Sequence, residues 1–409
     1  AEMRLAPGIV TEPCGTQAFS VRLSPDDAFV AAAGAQGKVC VFNVNTGQEG
    51  YRLNRHETHP VKQVCWRPER ADASLRTRSI LVGASTDGRL RQWHVTSSRL
   101  LQEFGDPAET GQLFCVDYSP DGSCLVAGGM HKLWLFDEET KKLRSMLSGG
   151  DSRNTAGHSS RVQAVRFPPA QGVAGNVVVS GGWDNTVQFW DLRMGHACRL
   201  IYGPHLCGDA LDIEPSGRLL LTGSWRQEDA LELWDFGSGR RVSSLPWRAK
   251  GSAQEPECLL YAARFSRDPS ASMIVAGGAF AGLGGGEAKV LERSSAGGEE
   301  ACRCAGTLVR FTCVSADFAH SEERPMVALC GGDGRIRTMR LLPEGQQAPA
   351  TAAALGTKPP APVAAARGSG SSKPPPAPSP PREALAAKQV PAPSPGVAAR
   401  DNGYPSAGA

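Results

Sequence analysis

The sequence predicts an all-β fold, a seven-bladed β-propeller, followed by a disordered tail rich in proline and alanine. The main observation is a repeat, in which a short strand carrying an aromatic or large apolar residue recurs about every 50 residues. Two strand-like segments precede each of these anchor strands, and a fourth segment follows most of them. Four short strands per repeat are typical of a propeller blade. The second observation is a change of composition near residue 345.

The anchor residues occupy the same place in the third strand of each repeat. They are Phe42, Trp93, Phe136, Trp190, Trp234, Glu292 and Met339. The strand before each anchor is apolar and ends in small residues, as in "VVVSGG" and "LLLTGS". The strand before that usually ends in a turn, as in "FCVDYSPDG". Alternating apolar positions between Gly, Pro and Asp indicate strands rather than helices.

The seventh repeat has only three strands before Pro343. The N-terminal segment "RLAPGIVTE" precedes the first full repeat, and we expect it to supply the missing strand. Such closure removes the open sheet edges that would otherwise invite aggregation. The predicted limits are therefore 1–344 for the propeller and 345–409 for the tail.

The tail holds 14 of the 30 prolines and almost no large apolar side chains. This composition cannot bury enough surface to offset the entropy of ordering the chain, so it predicts disorder. Its "KPPPAPSPPREAL" segment favours polyproline II and could make weak contacts with proline-binding modules.

The formal net charge is +3, and the tail accounts for it with six Lys and Arg against two Asp and Glu. The remaining chain is nearly neutral, which disfavours nucleic-acid binding because that binding depends on phosphate neutralisation. No run of about 18 apolar residues occurs, so no membrane partner is expected. The sequence starts without Met, which is compatible with an origin inside a longer chain.

The twelve cysteines predict a reducing compartment. Five of them lie in apolar strand-like runs and are interpreted as small buried side chains. These are Cys40, Cys65, Cys115, Cys313 and Cys330. No CxxC pair occurs, which disfavours a metal site. We expect an intracellular, cytoplasmic protein, with ciliary, cytoskeletal and nuclear locations as alternatives.

Three motifs resemble the WD40-repeat family: "WDL" at Trp190, "WDF" at Trp234 and "GHSSRVQAVRF" from Gly157. The resemblance covers about residues 15–342 and implies a seven-bladed propeller. By position, four residues match the family's structural hydrogen-bond network: His158, Ser180, Asp184 and Trp190. A His–Ser–Asp trio also suggests a hydrolase triad, but no G-x-S-x-G turn surrounds the serine. The structural interpretation is therefore preferred.

Trp183 lies in the turn before Asp184, and the equivalent turn residues differ from blade to blade. In chain order the seven are Ala35, Thr86, Met130, Trp183, Trp225, Ala279 and Gly332. The bulky residues, Met130, Trp183 and Trp225, belong to three consecutive repeats. In the sixth repeat Phe280 lies one place after the equivalent position. Arg161 and Arg226 lie near these turns in the sequence. The resemblance implies that these turns surround the channel mouth and contact partners. The alternative is that Trp183 lies flat over neighbouring loops, partly buried.

These observations predict a non-catalytic protein-interaction scaffold or adaptor subunit of a larger complex, with protein partners on the loop face. No cofactor, metal or small-molecule substrate is expected, because the sequence shows no set of charged residues converging on the channel. The alternatives are a subunit of an enzyme complex, such as a ubiquitin-ligase substrate receptor, and a propeller with a catalytic or small-molecule site.

Overall fold

Seven four-stranded antiparallel sheets follow one another along the chain in the computed structural model. The structure describes residues 3–53, 59–68, 79–149, 156–169, 176–248, 256–282, 284–296, 299–309, 311–322 and 325–343. The predicted seven-bladed all-β propeller is confirmed. The predicted tail, residues 345–409, lies outside the described residues, and its limit stays a prediction.

The first strands form the beginning of the ring. The N-terminal strand is β1 (Met3–Val10). Blade 1 contains β2 (Ala18–Leu23), β3 (Phe29–Gly34), β4 (Val39–Asn43) and β5 (Glu49–Arg52). Blade 2 contains β6 (Val61–Trp66), β7 (Ile80–Ser85), β8 (Leu90–His94) and β9 (Arg99–Phe104). Blade 3 contains β10 (Cys115–Tyr118), β11 (Cys124–Gly128), β12 (Leu133–Asp137) and β13 (Leu143–Leu147).

The next two blades have the same order of strands. Blade 4 contains β14 (Val162–Arg166), β15 (Val177–Gly182), β16 (Thr186–Asp191) and β17 (His196–Tyr202). Blade 5 contains β18 (Leu211–Ile213), β19 (Leu219–Gly223), β20 (Leu231–Asp235) and β21 (Arg241–Leu245).

Blade 6 ends in a long hairpin, and blade 7 has three strands of its own. Blade 6 contains β22 (Cys258–Phe265), β23 (Met273–Phe280), β24 (Gly286–Ala296) and β25 (Glu299–Val309). Blade 7 contains β26 (Cys313–Phe318), β27 (Met326–Gly331) and β28 (Ile336–Pro343). Short helical turns occur at Pro107–Thr110, Ala35–Gly37 and Val95–Ser97, within connections for which the sequence predicted no helix.

The strand β1 is the outer strand of blade 7, so the two ends of the propeller share one sheet. It pairs antiparallel with β28, from Met3 opposite Pro343 to Val10 opposite Arg337. A bulge interrupts the pairing, and the Ile9 N–H donates to the Thr338 hydroxyl over 2.9 Å. A Cβ on Gly8 would lie 2.5 Å from the Thr338 carbonyl oxygen, so only glycine fits there.

The first strand of every blade lines the centre of the ring. These strands contact one another in a closed cycle, β2 to β6, β10, β14, β18, β22, β26 and back to β2. The fourth strands lie outside, and β9 and β13 are largely exposed. Apolar side chains pack between adjacent blades, and Trp190 of β16 belongs to the same buried cluster as Leu133 and Leu135 of β12. Burial of these faces between blades drives the stacking.

One anchor residue was assigned wrongly from the sequence. Leu291 lies opposite Ile274 in blade 6, as Trp190 lies opposite Val178 in blade 4. Leu291 is buried, whereas Glu292 forms an exposed ion pair with Arg303 over 2.7 Å. Neighbouring residues of a strand face opposite sides of the sheet, so an error of one position exchanged the core residue for a surface one.

Candidate functional site: the loop face and the central channel

Four buried or half-buried side chains of blade 4 form a continuous chain of hydrogen bonds. His158 Nδ1 lies 2.8 Å from Asp184 Oδ2, and His158 Nε2 lies 2.7 Å from Ser180 Oγ. The indole N–H of Trp190 donates to the same Ser180 oxygen over 2.7 Å. A carboxylate only accepts and an indole only donates, so the histidine and the hydroxyl relay between them. The Ser180 hydroxyl is 0% exposed, and no substrate could reach it as a nucleophile.

The network also fixes the turn that carries Trp183. Asp184 accepts a further hydrogen bond from the Ser159 N–H at 3.0 Å and one from the Thr186 hydroxyl at 2.9 Å. Burial alone would raise the pKa of Asp184, but the hydrogen bonds and charge of its partners hold this pKa below the usual value. The backbone N–H of Trp183 itself donates to the Arg161 carbonyl over 3.0 Å. The turn is therefore held from both sides, which leaves the Trp183 indole at the surface.

Blade 5 repeats part of this arrangement. The indole N–H of Trp234 donates to the Thr222 hydroxyl over 2.9 Å. His205 bonds the Asn185 side-chain oxygen, at 2.6 Å from its Nδ1, and not a carboxylate. The backbone N–H of Trp225 donates to the His205 carbonyl over 2.8 Å. Trp225 is thus held by the incoming loop in the same way as Trp183.

Four large side chains are exposed on this face of blades 3 to 5. Met130 is 37% exposed, Trp183 and Trp225 are each 40% exposed, and Tyr202 is 69% exposed. Tyr202 was not predicted from the sequence, because it ends a fourth strand and lies outside the turns between second and third strands. We call Met130, Trp183, Tyr202 and Trp225 the aromatic face.

Hydrogen bonds to backbone groups join the turns that carry the aromatic face. The Gly203 N–H donates to the Asn185 carbonyl over 2.9 Å, and Arg226 Nη1 donates to the Gly203 carbonyl over 3.1 Å. The segment after Tyr202 therefore bridges the turns of Trp183 and Trp225. On the other side, the Val162 N–H donates to the Gly129 carbonyl over 2.8 Å, which brings the Met130 turn beside Arg161.

The other predicted partner-binding residues have different surroundings. Arg161 lies over the Trp183 ring at 4.7 Å and over the Phe114 ring at 5.5 Å, so it lies against the aromatic face. Arg226 is engaged within its own blade by the Asp229 carbonyl and by Glu232. Phe280 ends β23 and packs, partly buried, on the core between blades 5 and 6. The structure therefore does not bring Phe280 into the exposed set.

Charged residues do converge on the central channel, and the expectation that none would do so is wrong. One position of the first strand recurs in all seven blades, and its residue is charged in six of them. In blade order the seven are Arg22, Cys65, Asp117, Arg166, Asp212, Arg264 and Asp317. We call these residues the channel ring. Basic and acidic residues alternate around most of it.

Asp209, just before β18, lies at the centre of the channel ring. Its carboxylate accepts hydrogen bonds from Arg22 and Arg166, and from Arg264 at 3.2 Å. Gln63 donates to it over 2.9 Å, and the Ser315 hydroxyl lies 3.3 Å away. Burial would raise the pKa of Asp209, but the three arginines hold this pKa well below its usual range. Residues from blades 1, 2, 4, 6 and 7 therefore meet on a carboxylate supplied by blade 5.

The acidic members of the channel ring join neighbouring blades through the backbone. Asp117 accepts from the Phe167 N–H, Asp212 from the Phe265 N–H and Asp317 from the Leu23 N–H, each over 2.9 Å. Each bond joins one blade to the first strand of the next blade or, for Phe167, to the residue directly after that strand. Arg166 and Arg264 also pair with Asp212, and Asp317 pairs with Arg267. Among the described residues Asp117 forms no ion pair, and burial raises its pKa. The pairing of the other channel charges favours a structural role over acid–base chemistry.

Two surface grooves lie between blades on the opposite face. One, of about 280 Å³, lies between blades 6 and 7 and includes Arg267, Asp268 and His320. The other, of about 380 Å³, lies between blades 3 and 4 and includes Asp121, Arg144 and Arg193. Among the described residues, no group of three or more His, Cys, Asp or Glu side chains could hold a metal ion.

Comparisons with known proteins agree with the architecture. The family "WD domain, G-beta repeat" matches residues 99–134 and 147–191. A periodic tryptophan protein 2 homolog of Dictyostelium discoideum is 26% identical over 175 residues, covering 42% of this chain and 17% of that protein. The mRNA export factor GLE2 of Chaetomium thermophilum is 26% identical over 116 residues, covering 28% of this chain and 30% of that protein.

A third relative matches over a longer stretch. The guanine nucleotide-binding protein subunit beta of Nicotiana tabacum is 23% identical over 223 residues, covering 52% of this chain and 56% of that protein. In all three cases the match spans less than two thirds of the relative's own length. In the part of the chain that the structure describes, no helix is long and apolar enough to cross a membrane. The chain therefore contains two matched WD40 repeats, and its described residues form the seven blades of a β-propeller.

Proposed function

We propose that this protein is a non-catalytic interaction scaffold that binds a protein partner on the aromatic face. The observation that carries the proposal is the exposure of Trp183 and Trp225, 40% each, at equivalent turns of adjacent blades. Contiguous exposed apolar side chains on a soluble protein usually mark an interaction site. Trp and Tyr dominate the energy of protein interfaces, and Met adapts to irregular partners.

The rigidity of the turns supports the same function. Trp183 is held by the Arg161 carbonyl and by the buried network of its neighbour Asp184. Trp225 is held by the His205 carbonyl. A turn whose backbone is already fixed loses little conformational entropy on binding, which favours affinity.

The channel supports a scaffold rather than an enzyme. Its central carboxylate, Asp209, is fully engaged by three arginines, and the Ser180 hydroxyl of the His–Ser–Asp trio is buried under an indole. A general base or nucleophile needs access to substrate. Neither group has such access.

The names of the relatives support a scaffold role in a larger assembly. The names of two of them refer to mRNA export and to a subunit of a guanine nucleotide-binding protein. Both descriptions involve assembly or transport, which agrees with an adaptor role for this chain. An intracellular location follows from the proposal, and the export-factor relative keeps the nucleus beside the cytoplasm as a candidate compartment.

The experiment is affinity purification with mass spectrometry of the wild-type chain and of the double variant Trp183→Ala, Trp225→Ala. We expect the double variant to lose partners that the wild type captures, with an unchanged circular dichroism spectrum. A matched control is Met194→Ala, which removes an exposed apolar side chain from a turn between the two outer strands of blade 4. Equal capture by the double variant, or its global unfolding, contradicts the proposal.

A further inference from the structure

A row of alternating aromatic and cationic side chains crosses the loop face from blade 1 to blade 4. The Lys62 Nζ lies 3.6 Å from the centre of the Phe19 ring. The Arg161 guanidinium lies 5.5 Å from the centre of the Phe114 ring and 4.7 Å from that of Trp183. Rings hold both cations in place through their negative faces. One end of this row is therefore the aromatic face.

Both cations belong to the wall of the central channel. Lys62 occupies a β-bulge in β6, between Val61 and Gln63, and bulges re-aim side chains. The next residue, Gln63, reaches Asp209 at the centre of the channel. Arg161 directly precedes β14, whose Arg166 also bonds Asp209. Lys62 and Arg161 thus lie at the mouth of the channel, and we call them the mouth pair.

The mouth pair carries charge that the described part of the chain does not neutralise. Among the described residues, neither Lys62 nor Arg161 forms an ion pair with a carboxylate, and aromatic rings are the partners shown for both. Burial, and then the charge of Arg161, lower the pKa of Lys62 to about 8. The carboxylate of Asp209 already interacts with three arginines, and the carboxylate of Asp184 is already hydrogen-bonded to His158. A bound anion would relieve the cost of keeping two cations together.

We propose that the mouth pair receives a carboxylate side chain of the partner protein, while apolar residues of the same segment cover Trp183 and Met130. This inference rests on the proposed function, because it names the chemistry of the partner of that same face. Charge-assisted bonds from Lys and Arg to a carboxylate are strong when partly shielded from water. The adjoining Met and Trp surface favours a polypeptide, and two cations are few for a nucleic-acid backbone, whose affinity comes from many phosphate contacts.

The probes are fluorescent peptide pools with random flanks around a fixed centre of Leu-Glu-Leu, Leu-Gln-Leu or Leu-phosphoSer-Leu. A short oligothymidylate is the nucleic-acid probe. Anisotropy titrations with the full chain give the affinity for each probe. We expect the Glu pool to bind at least about tenfold more tightly than the Gln pool, because only the carboxylate meets both cations.

The variants Lys62→Gln and Arg161→Gln should each reduce the preference for Glu over Gln to about threefold or less, since each removes one of the two charges. Lys142→Gln, which removes an exposed cation between β12 and β13, should keep the full preference. Thermal melts of each variant check that the fold is retained. Equal binding of the Glu and Gln pools, or no binding of either, overturns the inference. Tighter binding of the phosphoserine pool or of the oligothymidylate than of the Glu pool also overturns it.

The Trp183→Ala, Trp225→Ala double variant separates this inference from the proposed function. If it abolishes binding of the Glu and Gln pools alike while Lys62→Gln changes nothing, the aromatic face binds proteins and the mouth pair plays no part. If the double variant binds the Glu pool as the wild type does, the proposed function fails and the mouth pair acts alone.

Discussion

The guanidinium of Arg22 in blade 1 donates to the carboxylate of Asp209 in blade 5, across the channel and 187 positions along the chain. The same carboxylate receives Arg166 and Arg264. Replacing it by Asn leaves three buried guanidinium groups without their shared counter-ion. We expect Asp209→Asn to lower the free energy of unfolding by about 3–5 kcal/mol in guanidinium chloride titrations. Glu139→Gln, which neutralises an exposed carboxylate, is the control and should change it by less than about 0.5 kcal/mol.

The pKa of Asp209 also predicts how stability depends on pH. Because the arginines hold this pKa below the value in the unfolded chain, the carboxylate stabilises the fold at pH values above the unfolded value. That contribution is lost as the pH falls toward the depressed pKa of the folded state. The acid limb of a stability profile should therefore be shallower for Asp209→Asn than for the wild type. Parallel acid limbs for the two proteins would show that Asp209 does not link proton binding to folding.

In blade 4, Asp184→Ala should lower the free energy of unfolding by about 1–3 kcal/mol, because His158 and the Ser159 N–H lose their acceptor. Hydrogen exchange should show the loss first in β15 and β16. The matched control is Asp333→Ala, in the equivalent turn of blade 7, whose exposed carboxylate pairs with Arg337. That change should cost no more than about 1 kcal/mol. A larger cost at Asp333 than at Asp184 would contradict the assigned role of the network.

Closure of the ring by β1 can be tested with the melting temperature. Deleting residues 1–12 removes the outer strand of blade 7 and exposes the edge of β28, so the melting temperature should fall by several degrees. Gly8→Val should act in the same direction, because the new Cβ would collide with the Thr338 carbonyl oxygen. Val10→Thr, at an exposed position of the same strand, should leave the melting temperature unchanged. An unaltered melting curve after the deletion would mean that β1 does not contribute to closure.

The blades could be predicted from the sequence because each is local. A strand, a turn and the next strand lie within about 20 residues, and their alternation and turn residues are visible in the chain. The strand register of blade 6 was harder to predict, because Leu291 and Glu292 are neighbours and no aromatic residue marks the anchor position. Tyr202 was missed because it ends a fourth strand, where the repeats are least alike.

The centre of the channel could not be predicted in the same way. Its members are separated by whole blades, and each lies in a strand that looks like an ordinary half-buried one. A signal was present nevertheless: "VRL", "VRF" and "ARF" place Arg22, Arg166 and Arg264 at one position of the repeat. The alternation of charge is visible when the first strands of the seven blades are aligned. Asp209 would still have been missed, because it precedes the strand of blade 5.

The position of Asp209 in the chain has a consequence for biosynthesis. Arg22 and Arg166 leave the ribosome before their counter-ion, and Arg264 leaves after it. A nascent chain that ends within blade 4 therefore carries two channel arginines before the carboxylate that binds both of them has been made. The third arginine, Arg264, is added only with the first strand of blade 6. The ion cluster can therefore be completed only after the first five blades have left the ribosome, which makes it a late step of folding.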